Sequence, residues 1–322
     1  MKILTHLSRL IIAITFIFSG FVKLVDPIGS SIKFQEYFSE DVLNLTFLEP
    51  YTLSFAILLI IVELMLGIMM LVGFKPRWTV WGTFLLMIVF LFLTFYSAVT
   101  GKVTDCGCFG DALKLSPWGT FYKNVFFTAL IVFLLFRIKD VQPWLGKKVA
   151  VWVTFITFIG SLFITYYVLK HLPIIDFRPY KIGQSIPEGM EQYDEETGIA
   201  LIHDFILENE EEDLTETILS ADKVLLIVAY DLSKANHGTF AKIKPIADQA
   251  LTNGYLVYTL SASAMDDFEV LKSEYNLNFD MLYTDETTLK TIIRANPGLM
   301  TLEKGVITGK WNGNDAGKVV LH

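Results

Sequence analysis

Apolar residues fall mainly in the first half of this chain, in long runs rather than in alternation. Residues 7–25, 51–73, 78–100, 118–138 and 149–172 carry few charges, and each approaches the roughly 20 residues an α-helix needs to cross a hydrocarbon core. Buried core helices are the other reading of such runs, but five within the first 172 residues would need a core larger than this chain can build. The pattern predicts five transmembrane helices. Residues 31–50 mix Phe34, Tyr37, Phe38, Val42, Leu45 and Leu48 with charges, which predicts an amphipathic segment at the membrane interface.

Beyond residue 172 the period changes. Residues 174–220 are interrupted by Pro179, Pro187, glycines and an acidic run and read as a linker, with a short strand at 198–207. Residues 223–229 (KVLLIVA), 254–260 (GYLVYTL) and 279–283 read as strands, 236–251, 265–275 and 286–295 as helices, and 298–302 with 305–308 as a hairpin across Glu303-Lys304. Strand–helix alternation closed by a hairpin predicts one α/β sheet covered on both faces. The predicted plan is a four-helix membrane domain at 1–146, a fifth helix at 147–172, a linker and acidic lead-in at 173–220, and a soluble domain at 221–322.

Composition supports the membrane class: 53% of residues are hydrophobic and 14% aromatic. Lys2 and Arg9 ahead of the first apolar run also suit a secretory signal, but no small-residue cleavage site follows, so the helix is expected to be retained. With the N-terminus inside, Lys2, Arg9, Lys75, Arg77, Arg137, Lys139, Lys147 and Lys148 face the cytoplasm, against Lys23, Lys33, Lys102, Lys114 and Lys170 outside. That bias favours a cytoplasmic N-terminus and, after five crossings, an extracytoplasmic C-terminal domain. The net charge of −8 gathers late, around Glu208, Glu210, Glu211, Glu212 and Asp213. It argues against nucleic acid as a partner; membrane lipid and an extracytoplasmic protein client or redox partner are the expected partners.

Candidate chemistry centres on the chain's only two cysteines, Cys106 and Cys108, in the loop Asp105-Cys106-Gly107-Cys108-Phe109-Gly110-Asp111 between the third and fourth runs. Gly107 and Gly110 permit a tight turn. Three readings compete. A structural disulfide across so short a loop gains little from chain entropy. A metal site would want further Cys or His ligands nearby. Reversible thiol–disulfide exchange suits a strained, easily reduced pair outside the cytosol. Glu63 is a carboxylate deep in an apolar run, so it must be paired, protonated or facing a polar cavity; a single interhelical hydrogen bond and a proton or quinone role are both open. Lys23 is its candidate partner, although its stem could carry the ammonium to the surface instead. Gly67, one turn on, would let another helix approach closely. Ser116-Pro117-Trp118 reads as an N-cap, a first-turn proline and an interfacial aromatic.

Ser19-Gly20-x-x-Lys23-x-x-Asp26-Pro27, Glu63-x-x-x-Gly67, the Asp105–Gly110 string, Pro117-Trp118 and Lys123-Asn124 resemble the DoxX-like membrane proteins, and among them the MauE (methylamine utilisation) branch. The resemblance implies a four-helix bundle in the bacterial inner membrane tied to extracytoplasmic redox chemistry. MauE is associated with maturation of a disulfide-rich amine dehydrogenase, and the wider group includes a subunit of a thiosulfate–quinone oxidoreductase. It marks Cys106 and Cys108 as candidate catalytic residues, with Lys23, Asp26, Glu63, Asp105, Trp118 and Asn124 as candidate supporting residues and a quinone as the candidate cofactor. The fifth helix and long C-terminal domain depart from the minimal pattern.

The strand order after residue 221 resembles the thioredoxin-like fold, with Asn296-Pro297 where that fold carries its cis-proline. Where that fold's C-x-x-C would follow the first strand the chain reads Tyr230-Asp231-Leu232-Ser233-Lys234-Ala235-Asn236. The domain has no thiol and cannot exchange disulfides by itself. Ser233, Asn236 and Pro297 are candidate client-binding residues; the alternative is that Ser233 and Asn236 cap the next helix, and His237 reads as a solvated first-turn residue. Two functions remain: a membrane thiol–disulfide oxidoreductase component, or a non-enzymatic, membrane-anchored assembly protein whose outer domain holds a client.

Overall fold

The computed structural model describes residues 2–103, 105, 107–113, 115–144, 146–193, 198 and 200–321. They form two compact units, Met1–Leu169 and Lys170–His322. The first comprises α1 (Lys2–Val25), α2 (Pro27–Phe38), α3 (Thr52–Val72), α4 (Pro76–Thr100), α5 (Pro117–Phe136) and α6 (Lys147–Lys170). Among the described residues five helices, α1, α3, α4, α5 and α6, are long and apolar enough to cross a membrane, as the runs predict. The chain is a multi-pass membrane protein.

Inside a bilayer helices gain little from burying apolar surface against each other, so small residues that allow close backbone contact decide which pairs meet. α1 and α3 meet through two glycines. A Cβ on Gly20 would lie 2.8 Å from the Leu64 backbone nitrogen, and one on Gly67 would lie 2.8 Å from that of Ile17. Ile12, Phe16, Met70, Met87, Ile131 and Leu134 then fill the space between α1, α3, α4 and α5. Arg9 is wholly buried and donates to the carbonyls of Met70 (2.7 Å), Leu71 (2.8 Å) and Gln142 (2.9 Å). A guanidinium there meets carbonyls that the end of α3 leaves unpaired, and Trp144 lies against it, 4.3 Å from ring centroid to charge. α6 keeps Trp152, Phe155, Ile156, Ile159, Leu162 and Phe163 exposed, the surface expected of a lipid-facing helix.

The interfacial segment is two pieces. Asp26 ends α1 and caps α2, accepting from the Gly29 nitrogen at 2.9 Å, with Pro27 pre-set for the first turn; a short 3₁₀ turn, Thr46–Tyr51, follows. Tyr37 and Phe38 pack with Val103, Phe34, Leu48, Phe55 and Leu93.

The second unit contains α7 (Ile186–Glu191), α8 (Thr215–Ser220), β1 (Val224–Val228), α9 (Phe240–Thr252), β2 (Leu256–Ser261), α10 (Met265–Tyr275), β3 (Asp280–Tyr283), α11 (Glu286–Ile292), β4 (Gly298–Glu303) and β5 (Val306–Asn312). The sheet order is β3-β2-β1-β4-β5. β1 runs parallel to β2, and β2 to β3; β4 is antiparallel to β1 and β5 to β4. With a cis Asn296-Pro297 bond ahead of β4, this is the thioredoxin-like topology. β1 is buried along its whole length, which explains its unbroken apolar run. Leu225 and Ile227 face α9 and α10, while Val224, Leu226 and Val228 face the other layer.

That second layer is where the sequence reading needs correction. Residues 173–220, read as linker, supply Tyr180, Ile186, Ile202, Phe205, Leu207 and Ile218 to the core, because the seven-residue α11 is too short to cover that face alone. No strand forms at 198–207 among the described residues; isolated bridges pair Tyr193 with Ala200 and Glu208 with Tyr283.

Candidate functional site

Lys23 points inward. Its ammonium, on a side chain 5% exposed, lies 2.9 Å from Glu63 Oε2, whose own side chain is 3% exposed. It also donates to Ser19 Oγ at 2.7 Å and to the Cys108 carbonyl at 2.7 Å, and Ser19 Oγ donates to that carbonyl at 2.5 Å. The close glycine contact of α1 with α3 places the two charges within reach of each other. A buried ion pair repays its desolvation only when its remaining hydrogen-bonding capacity is met; here the ammonium meets it with Ser19 and the backbone of the cysteine loop.

The loop is held at several further points. Gly107 and Gly110 have φ of +65° and +52°, conformations that favour glycine, and a Cβ on Gly107 would meet the Lys33 side chain at 2.9 Å. Asp105 Oδ1 accepts from the Gly107 nitrogen at 3.0 Å. Phe109 is buried between Phe18, centroids 5.6 Å apart, and the Lys123 ammonium, 4.1 Å from its centroid. Cys108 is half-buried; Cys106 lies outside the described residues.

Two small cavities adjoin Cys108. One of about 20 Å³ is bounded by Thr15, Ser19, Glu63, Lys123 and Asn124; the other, about 50 Å³, by Lys23, Lys33, Tyr37, Phe90 and Thr94. These spaces suit one to a few waters. They do not place a quinone. Asn124 is buried and donates to Thr94 Oγ1 at 3.3 Å, so it lines the site. Asp26 caps α2 instead. Trp118 is 46% exposed and stacks with Phe121 and Tyr122. The structure thus gathers Lys23, Glu63, Asn124, Asp105 and Cys108, and adds Ser19, Thr94 and Lys123.

In the second unit the expected capping role belongs to Asp231 rather than to Ser233 or Asn236. Asp231 Oδ1 accepts from the Ser233 nitrogen (3.0 Å) and hydroxyl (2.6 Å), and Oδ2 pairs with Lys234 at 2.6 Å. Burial works to raise this carboxyl, but the bonds from Lys234 and Ser233 outweigh it and hold it below its usual range. Asn236 caps nothing with its side chain; its backbone nitrogen donates to the Asn296 carbonyl at 3.2 Å. His237 is exposed, with Nε2 2.8 Å from the Leu232 carbonyl oxygen. Of the three client-binding candidates, Ser233 and Asn236 are exposed and Pro297 is buried.

Sequence reasoning missed a buried cluster beneath β5. Lys310 donates to Asp176 Oδ2 at 2.7 Å and the Tyr180 carbonyl at 2.8 Å, while Arg178 Nε holds Asp176 Oδ1 at 2.8 Å. Burial, aided by the Arg178 charge, lowers Lys310 to about 7 against the pull of Asp176. Burial works to raise Asp176, yet the two cations keep it below its usual range. A lysine near the end of a hairpin carries no sequence mark of burial.

Residues 1–137 match the family model described as methylamine utilisation protein MauE. Protein TlpB of Flavobacterium psychrophilum is 30% identical over 166 residues, covering 50% of this chain and 44% of that protein; the chain thus matches less than half of that relative's length. A solved thioredoxin-like protein from Bacteroides caccae ATCC 43185 aligns over 89% of this chain and 90% of its own at 14% identity, with a TM-score of 0.31. The membrane unit is therefore MauE-like over residues 1–137, and the same chain carries a second unit of thioredoxin-like topology.

Proposed function

We propose that this protein is a membrane component of extracytoplasmic thiol–disulfide exchange working through Cys106 and Cys108. The observation that carries the reading is the buried Lys23–Glu63 pair, whose ammonium donates to the backbone of the cysteine loop. A charged pair in an apolar bundle is costly, and here it holds the one segment of the chain that carries cysteine.

In the exchange, one thiolate of the pair attacks a sulfur of a client protein's disulfide. A mixed disulfide forms and one client thiolate leaves. The second thiolate of the pair then attacks the mixed disulfide, closing Cys106–Cys108 and releasing the client's other thiolate. Two electrons pass from pair to client, and a second protein dithiol returns them by the reverse sequence. The outer unit, with no thiol of its own, serves by holding the client near Ser233 and Asn236.

The test uses the full chain in lipid nanodiscs, reduced and freed of reductant, then mixed with insulin as a disulfide substrate. The wild type should open one insulin disulfide per chain. Either single serine variant, C106S or C108S, should accumulate a reducible adduct, and C106S/C108S should insert normally and do neither. Equal insulin reduction by the double variant and the wild type would overturn the assignment.

A further inference from the structure

Glu63 binds Lys23 through Oε2, and the same side chain lines the cavity of about 20 Å³ that it shares with Thr15, Ser19, Asn124 and Cys108. That volume exceeds the roughly 10–15 Å³ one water requires, and the lining offers it the two to four polar partners that hold a buried water. Glu63 is the one carboxylate among the described residues that border this cavity.

We propose that Glu63 accepts the proton of Cys108, through one water in this cavity, whenever the thiol becomes a thiolate. The proposal rests on the exchange reading above and adds the fate of the proton. The S–H bond of Cys108 breaks, the water relays the proton, and an O–H bond forms on the Glu63 carboxyl; no electron moves. Lys23 makes this balance. Its ammonium compensates the carboxylate beforehand and the thiolate afterwards, so the net charge of the cluster is unchanged. Losing the proton to bulk water would instead leave two anions beside one cation in a weakly solvated interior.

The other charged groups around the pair do not substitute for Glu63. Lys123 from α5 stacks on Phe109, Lys33 from α2 is bound to Glu36, and Asp105 is turned to the Gly107 nitrogen. The lysines favour a thiolate and Asp105 opposes it, but neither lysine, as an ammonium, can take its proton.

The test follows alkylation of Cys108 by iodoacetamide in the full-length C106S chain in nanodiscs, across pH. Two groups sharing one proton titrate as a pair, and between their two macroscopic steps the thiolate fraction does not change with pH. The rate should therefore show a plateau between those two steps. With E63Q added, the proton must go to bulk water and the rate should climb roughly tenfold per pH unit up to its midpoint; E63D should keep the plateau. A tenfold climb per unit in the Glu63-bearing chain would overturn the proposal, as would a plateau that survives E63Q. Should E63Q fail to fold, the Glu63 and E63D profiles decide alone. No client takes part, so this result and the insulin result can fail independently.

Discussion

Lys23 spends its three N–H groups inside the bundle, on Glu63, Ser19 and the Cys108 carbonyl. K23M should leave a carboxylate buried without its counter-ion, at a cost of about 3–5 kcal/mol, whereas K23M/E63M should recover most of that, since apolar replacements of a whole pair are often neutral. Denaturant unfolding of the wild type, K23M, E63M and K23M/E63M in one detergent would form the cycle; a double-variant loss equal to the sum of the two single losses would show the pair to be uncoupled. Much of this was legible. A lone carboxylate deep in an apolar run demands a partner, and Lys23 was the nearest candidate. The direction of its stem was not legible, because a lysine can reach inward or outward from the same position. The Cys108 carbonyl was invisible too, since a backbone acceptor leaves no mark in a sequence.

At the scale of elements, the α1–α3 contact was foreseen on one side only: Gly67 announced it, and Gly20 answers it from the opposite helix. The sheet was read nearly strand for strand because its β1 run is apolar throughout. What escaped was the buried use of β5. Lys310, lowered by burial to about 7 from the ordinary 10.5, gives a pH dependence of known sign. Between those values the unfolded chain binds a proton that the folded chain does not, so stability rises with pH across that window, and the full penalty of the buried ammonium is present below it. K310M should flatten the rise. Limited proteolysis of the intact chain across a denaturant series, scored for cuts within residues 224–312 at several pH values, measures it; a wild-type profile that is flat or falling from pH 7 to about 10 would contradict the assignment.

For the whole molecule, five spans and the excess of basic residues on one side carry the topology. Two crossings, α5 and α6, separate the cysteine loop from the second unit, so both are expected on the extracytoplasmic side. A membrane-impermeant maleimide added to intact cells should label the reduced loop, and protease added from outside should cut within the C-terminal unit. Labelling only after the membrane is opened would reverse the orientation. The two-part architecture was legible from the change of hydrophobic period near residue 172. The lead-in's share of the core was not, because its apolar residues follow neither a helical nor an alternating spacing.

Arg9 sets an order of events in synthesis. Its guanidinium takes two acceptors from the end of α3 and a third from Gln142, beyond α5. This crossing thus carries a cation whose last acceptor is made more than a hundred residues later. Two of the three acceptors arrive with α3 and the third with the turn after α5, so the guanidinium is fully satisfied only once that turn has been made.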